Sequence, residues 1–169
     1  MGVTATNKSF SLCFCFMQRE TEADYLWALK EKKSDFDNWI QDDITIVTDR
    51  EFALMGAVSI ALPNAVLLLC MWHIVKNVLE KLRSKFEFRD DWDDLFALWR
   101  ATCQSATEME YLKNVMLLHD KISVNAFHHL DSTWLIHSKR FICAWTNKVK
   151  HFKHTVTSRV EGEHAMIKK

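Results

Sequence analysis

The sequence predicts an α/β fold with its strands in the first half of the chain and only helices in the second. Three observations carry that reading. Short aliphatic runs alternate with helical patterns as far as residue 86, and the strand signal then disappears. With three glycines and one proline in 169 residues, no flexible linker separates independent modules. A hydrophobic content of 49% with 12% aromatics supplies a sizeable core and excludes a disordered chain.

The first element is "SFSLCFCFM" (9–17), apolar on both alternating faces, which predicts a strand buried on both sides with Cys13 and Cys15 on one face and Phe14 and Phe16 on the other. In "TEADYLWALKEKKSDFDNWI" (21–40), Thr21 and Asp24 stand in a capping-box-like arrangement. Leu26, Leu29, Lys33, Phe36 and Ile40 follow at helical spacing, so an amphipathic helix is expected. "ITIVT" (44–48) is β-branched and reads as a core strand; "DREFALMGAVSIAL" (49–62) is helical and stops before Pro63. "AVLLLC" (65–70) is a second buried strand, and from Met71 the spacing of Ile74, Val78, Leu79, Leu82 and Phe86 is again helical. Strand, helix, strand in that order implies a βαβ unit with parallel pairing. Beyond it, "DDWDDLFALWRATCQ" (90–104), "TEMEYLKNVMLLH" (107–119) and the Trp-rich run from His128 to Thr146 read as helices packed through Trp92, Trp99, Trp134 and Trp145. A final helix, "SRVEGEHAMIKK", is expected from Ser158.

The formal net charge is zero, but residues 19–51 hold ten acids against five bases, while residues 137–169 hold eight Lys or Arg and two acids, Glu161 and Glu163. Such a distribution suits a cation at the acidic part and a polyanion along the basic part; ordinary solvated faces would look the same. No apolar run approaches the roughly 20 residues of a membrane span, and the first ten residues lack the core of a signal peptide. Five scattered cysteines flanked by apolar residues suit buried free thiols in a reducing, intracellular setting.

Two carboxylates are candidates for chemistry. Asp49 stands where a buried strand ends, in "IVTDRE", and ligands of open α/β sheets gather at such strand ends. Thr48 and Glu51 also have capping-box spacing, so a place in the first turn of the following helix explains Asp49 equally well. Glu161 has the same two readings: Ser158 and Glu161 form a capping box, yet Glu161 is an acid among Lys148, Lys150, Lys153, Arg159, Lys168 and Lys169, as a metal-binding carboxylate beside a nucleic-acid backbone would be. Cys70 and His73, in "LLLCMWHIVKN", are too few ligands for a zinc site, and nothing supplies the third group of a Cys-His nucleophile. They fall where the strand joins the helix, with His73 in the first helical turn.

Together, "FCFMQRETEADYLWAL", "IVTDREFALMGAVSIALPNAVLLLCMWHIVKNVL", "STWLIHSKRFICAWTNKVKHF" and "TVTSRVEGEHAMIKK" resemble the transposase domain of the Mutator-like elements. The resemblance implies a ribonuclease-H-like mixed sheet flanked by helices: a core over 1–86, an all-helical insertion over 87–150, and a last core helix over 151–169. It places the family's second catalytic Asp on Asp49, its catalytic Glu on Glu161 and its Cys-x-x-His signature on Cys70 and His73, a pair that then orients the final helix or contacts DNA. The first catalytic Asp has no counterpart, so the chain is expected to be truncated at its N-terminus. Gly162 and Met71 stand where the family more often has serine and arginine.

The resemblance further implies Mg²⁺ or Mn²⁺ held by Asp49 and Glu161, hard oxygen ligands for hard ions. DNA is the expected partner, tracked by Lys148, Lys150, Lys153 and Arg159, with transposases of this kind working as multimers in the nucleus. Weak metal binding and little or no strand cleavage are expected of a chain without the first Asp. A domesticated DNA-binding or regulatory protein derived from a transposase is the alternative.

Overall fold

The computed structural model describes residues 2–3, 8–10, 14–37, 44–151 and 155–157. The chain forms a helix-rich α/β structure dividing into two compact units, residues 1–67 with 156–169, and residues 68–155.

In the first unit, β1 (Gly2–Val3) pairs antiparallel with β2 (Ser9–Phe10), Gly2 opposite Phe10 and Val3 opposite Ser9. The strand expected over residues 9–17 is thus far shorter among the described residues. Phe14, Cys15 and Phe16 have no regular structure and are exposed, Phe16 by 83%. Apolar alternation shows that a segment can be covered on both faces; it does not supply the neighbouring strands that would cover it. The helix α1 (Glu22–Asp37) begins as the sequence predicts. The Thr21 hydroxyl donates to Asp24 at 2.7 Å, and the Asp24 amide donates back to Thr21 Oγ1 at 3.3 Å.

β3 (Thr45–Thr48) and β4 (Val66–Leu69) form a two-stranded parallel sheet, begun by the Val66 amide donating to the Ile44 carbonyl at 2.8 Å. Between them lies α2 (Phe52–Ala61), which buries Met55, Ala57, Val58 and Ala61. Gly56 lets α1 and α2 meet closely, because a Cβ there would run into the Glu22 carboxylate.

The second unit begins within β4. Its α3 (Met71–Leu82) buries Ile74, Val78 and Leu82, a stripe at four-residue spacing, and a 3₁₀ turn (Arg83–Lys85) follows. Then come α4 (Arg89–Gln104), α5 (Glu108–Lys121) and α6 (Val124–Thr133). The tryptophans organise this unit. Trp92 stacks on Phe96, Trp99 is 1% exposed, and Trp134 Nε1 donates to Asn77 Oδ1 at 3.1 Å, tying α3 to the residue after α6. The Trp-rich run is not one helix: after α6 come a 3₁₀ stretch (Leu135–Arg140) and the short α7 (Cys143–Thr146).

Candidate functional site

Thr48 closes β3 and is buried, whereas Asp49 beside it is exposed; the Thr48 hydroxyl donates to Asp49 Oδ1 at 3.2 Å. The helix after it starts later than the capping-box reading requires. Glu51 is the N-cap of α2, its Oε1 accepting from the Ala53 amide at 3.1 Å, so Asp49 lies outside the first turn. Helix capping therefore does not explain Asp49. Backbone position decides between the two acids: with the helix beginning at Phe52, Glu51 occupies the N-cap and Asp49 lies two residues before it.

Asp49 is one of three carboxylates within electrostatic range of a single tyrosine. The Tyr25 hydroxyl on α1 has its pKa raised, first by burial and then by the negative charges of Glu20, Glu51 and Asp49. Tyr25 and Glu20 were not foreseeable from the sequence, being more than twenty residues from Asp49. Because the Asp49 carboxylate is exposed and accepts one hydrogen bond, it retains oxygen lone pairs for a hard cation. Among the described residues, no group of three or more His, Cys, Asp or Glu side chains could by itself hold a metal ion.

In the second unit, Cys70 is the N-cap of α3 and wholly buried, with no hydrogen bond from its side chain to the helix amides. His73 is half-buried in the first turn, its ring edge-on to Trp72 at 4.8 Å. The junction is pinned by the Met71 amide, which donates to the Thr155 carbonyl at 2.9 Å. Lys148 and Lys150 are exposed just after α7. Glu161, Lys153 and Arg159 lie outside the described residues.

Comparison with known proteins finds one matching family model, over the first part of the sequence. Residues 1–77 match the MULE transposase domain. That stretch contains β3, α2, β4 and the first half of α3, and with them Asp49, Cys70 and His73. Among curated proteins, a PKS-NRPS hybrid synthetase, cheA, of Chaetomium globosum is 30% identical over 102 residues. The match takes in 59% of this chain and about 2% of the length of that relative. No solved structure matches the chain significantly. Among the described residues, no helix is long and apolar enough to cross a membrane.

Proposed function

We propose that this chain is the DNA-handling domain of a transposase of the Mutator-like type, built on a ribonuclease-H-like core over 1–86 and a helical insertion over 87–150, with the segment 151–169 supplying Glu161 to the core. The observation that carries the reading is the position of Asp49: an exposed carboxylate at the carboxyl end of β3, not engaged in capping, inside the stretch that matches the transposase family. Asp49 and Glu161 would hold Mg²⁺ or Mn²⁺, which in such sites activates the attacking oxygen and neutralises charge on the phosphodiester. Glu20 and Glu51 add negative potential beside Asp49, which favours a cation there. Lys148, Lys150, Lys153 and Arg159 would contact DNA phosphates, and the nucleus is the matching compartment.

Within these 169 residues the family's first Asp has no counterpart, and that favours DNA binding without strand cleavage for this chain alone. Gel-shift and nicking assays on the purified chain with duplex DNA and Mn²⁺ separate the readings. Binding without cleavage is expected. Robust cleavage abolished by Asp49→Asn would make the chain a complete nuclease, and failure to bind DNA at low salt would remove the proposal altogether.

A further inference from the structure

The unit of residues 68–155 encloses a cavity of about 460 Å³, within the roughly 300–1,000 Å³ usual for small-ligand sites. Its lining combines three chemistries. Leu68, Val75 and the rings of Phe96 and Phe141 give it an apolar floor; Arg100 from α4 and Arg140 from the 3₁₀ stretch give it positive charge; Gln104 and Asn147 add two carboxamides. Among the described residues, no Asp or Glu lines it.

The cationic groups are available. Arg100 is exposed and Arg140 half-buried, and among the described residues neither guanidinium is ion-paired or hydrogen-bonded. His151 also faces the cavity, and its Nδ1 is buried with no hydrogen-bond partner among the described residues. A buried polar atom left unsatisfied beside an open cavity is a place where a ligand completes a bond. Two thiols, Cys103 and Cys143, complete the wall; burial raises both pKa values, so they stay neutral and leave the positive potential intact.

We propose that this cavity binds a nucleoside monophosphate, its phosphate held by Arg100 and Arg140 and its base resting on the apolar floor against Phe96 and Phe141, with Gln104 and Asn147 at the base edge. The choice follows from matching each part. A phosphate dianion is the natural partner of two guanidinium groups lining one cavity, whereas a carboxylate is satisfied by one. A wholly apolar ligand would leave the arginines and His151 Nδ1 unanswered, and an amine or metal cation would meet two arginines and, among the described residues, no carboxylate. Carboxamides offer a donor and an acceptor side by side, the pattern a base edge presents, and aromatic rings take the base face.

The nucleotide comes either free or as an unpaired unit of a DNA strand, and calorimetric titration of the purified chain distinguishes the two. A deoxynucleoside monophosphate should bind saturably at one site per chain, with inorganic phosphate and the unphosphorylated deoxynucleoside each weaker by about tenfold or more. Arg100→Gln and Arg140→Gln should each weaken binding about tenfold, while Arg89→Gln, on the same helix but paired with Asp93, should not. Should the arginine variants fail to fold, the comparison of nucleotide, nucleoside and phosphate on the unaltered chain still decides. A short single-stranded oligonucleotide that displaces the mononucleotide identifies a DNA strand as the source; one that does not identifies the free nucleotide. Absence of saturable mononucleotide binding, or inorganic phosphate binding as tightly, would overturn the proposal. The inference is independent of the transposase reading, because a chain that ignores duplex DNA could still take the mononucleotide, and the converse.

Discussion

Cys103 and Gly56 show how single positions are fixed by what surrounds them. Cys103 on α4 is buried, and burial, reinforced by the nearby Cys143, raises its pKa. The folded state therefore holds the thiol proton more tightly than the unfolded chain does. The associated stability is complete below the ordinary thiol value and is lost as pH rises past about 8.5, where the unfolded chain releases the proton and the folded one does not. Thermal melts should accordingly fall on the alkaline side, and Cys103→Ala should flatten that fall while costing some packing. Thiol labelling read by peptide mass spectrometry should mark exposed Cys15 before Cys143, and Cys103 only on unfolding. Gly56 is a different case. An alanine there gains roughly 1 kcal/mol of helix propensity, and the group its Cβ meets is the far end of the Glu22 side chain, which is exposed and able to swing away. Gly56→Ala should leave the melting temperature equal or slightly higher; a drop of several degrees would mean that Glu22 is held where it stands.

Among the elements, the start of α2 separates structure from chemistry. Glu51 accepts from the Ala53 amide, whereas among the described residues Asp49 accepts only from the hydroxyl of Thr48. Glu51→Ala should lower stability by about 1 kcal/mol, a normal cap loss, and Asp49→Ala should change it by less than about 0.5 kcal/mol, as exposed positions do. Urea melts of the two variants measure this directly, and equal losses would return Asp49 to a capping role. The same place shows what the sequence makes legible. Thr45–Thr48 and Val66–Leu69 were readable as short aliphatic runs, and Phe52–Ala61 and Met71–Leu82 because their apolar residues recur at the helical spacing that each buries. The cap Thr21 of α1 follows a local pattern that needs no tertiary partner. Residues 14–16 were misread because a strand depends on neighbours that its own sequence does not encode. The 3₁₀ stretch Leu135–Arg140 has a three-residue period that resembles a helix over so short a span. For the site, the place of Asp49 at a strand end was legible in "IVTDRE". The electrostatic influence of Glu20 and Asp49 on Tyr25, and the placing of Arg100 and Arg140 around one cavity, exist only in the folded chain.

Over the whole molecule, zero net charge conceals a segregation of sign that a charge total misses. Residues 19–51 hold the acidic excess, including Glu20, Asp49 and Glu51, while the exposed Lys139, Lys148 and Lys150 belong to a segment with few acids. A neutral protein organised in this way gains no attraction for DNA from net charge, so binding rests on its basic segment and the local contacts of lysines with phosphates. Each such contact releases counterions, and log K should fall with log salt by about 0.9 for every phosphate neutralised. Removing Lys148 and Lys150 together should therefore reduce the salt slope by about two and weaken binding to a similar extent on unrelated duplexes, since phosphate contacts carry no sequence information. Fluorescence anisotropy across a salt series, with the parent chain and the double alanine variant on two duplexes of different sequence, measures both quantities. An unchanged slope would remove these lysines from the DNA surface, and a loss confined to one duplex would mean that they read bases instead of phosphates.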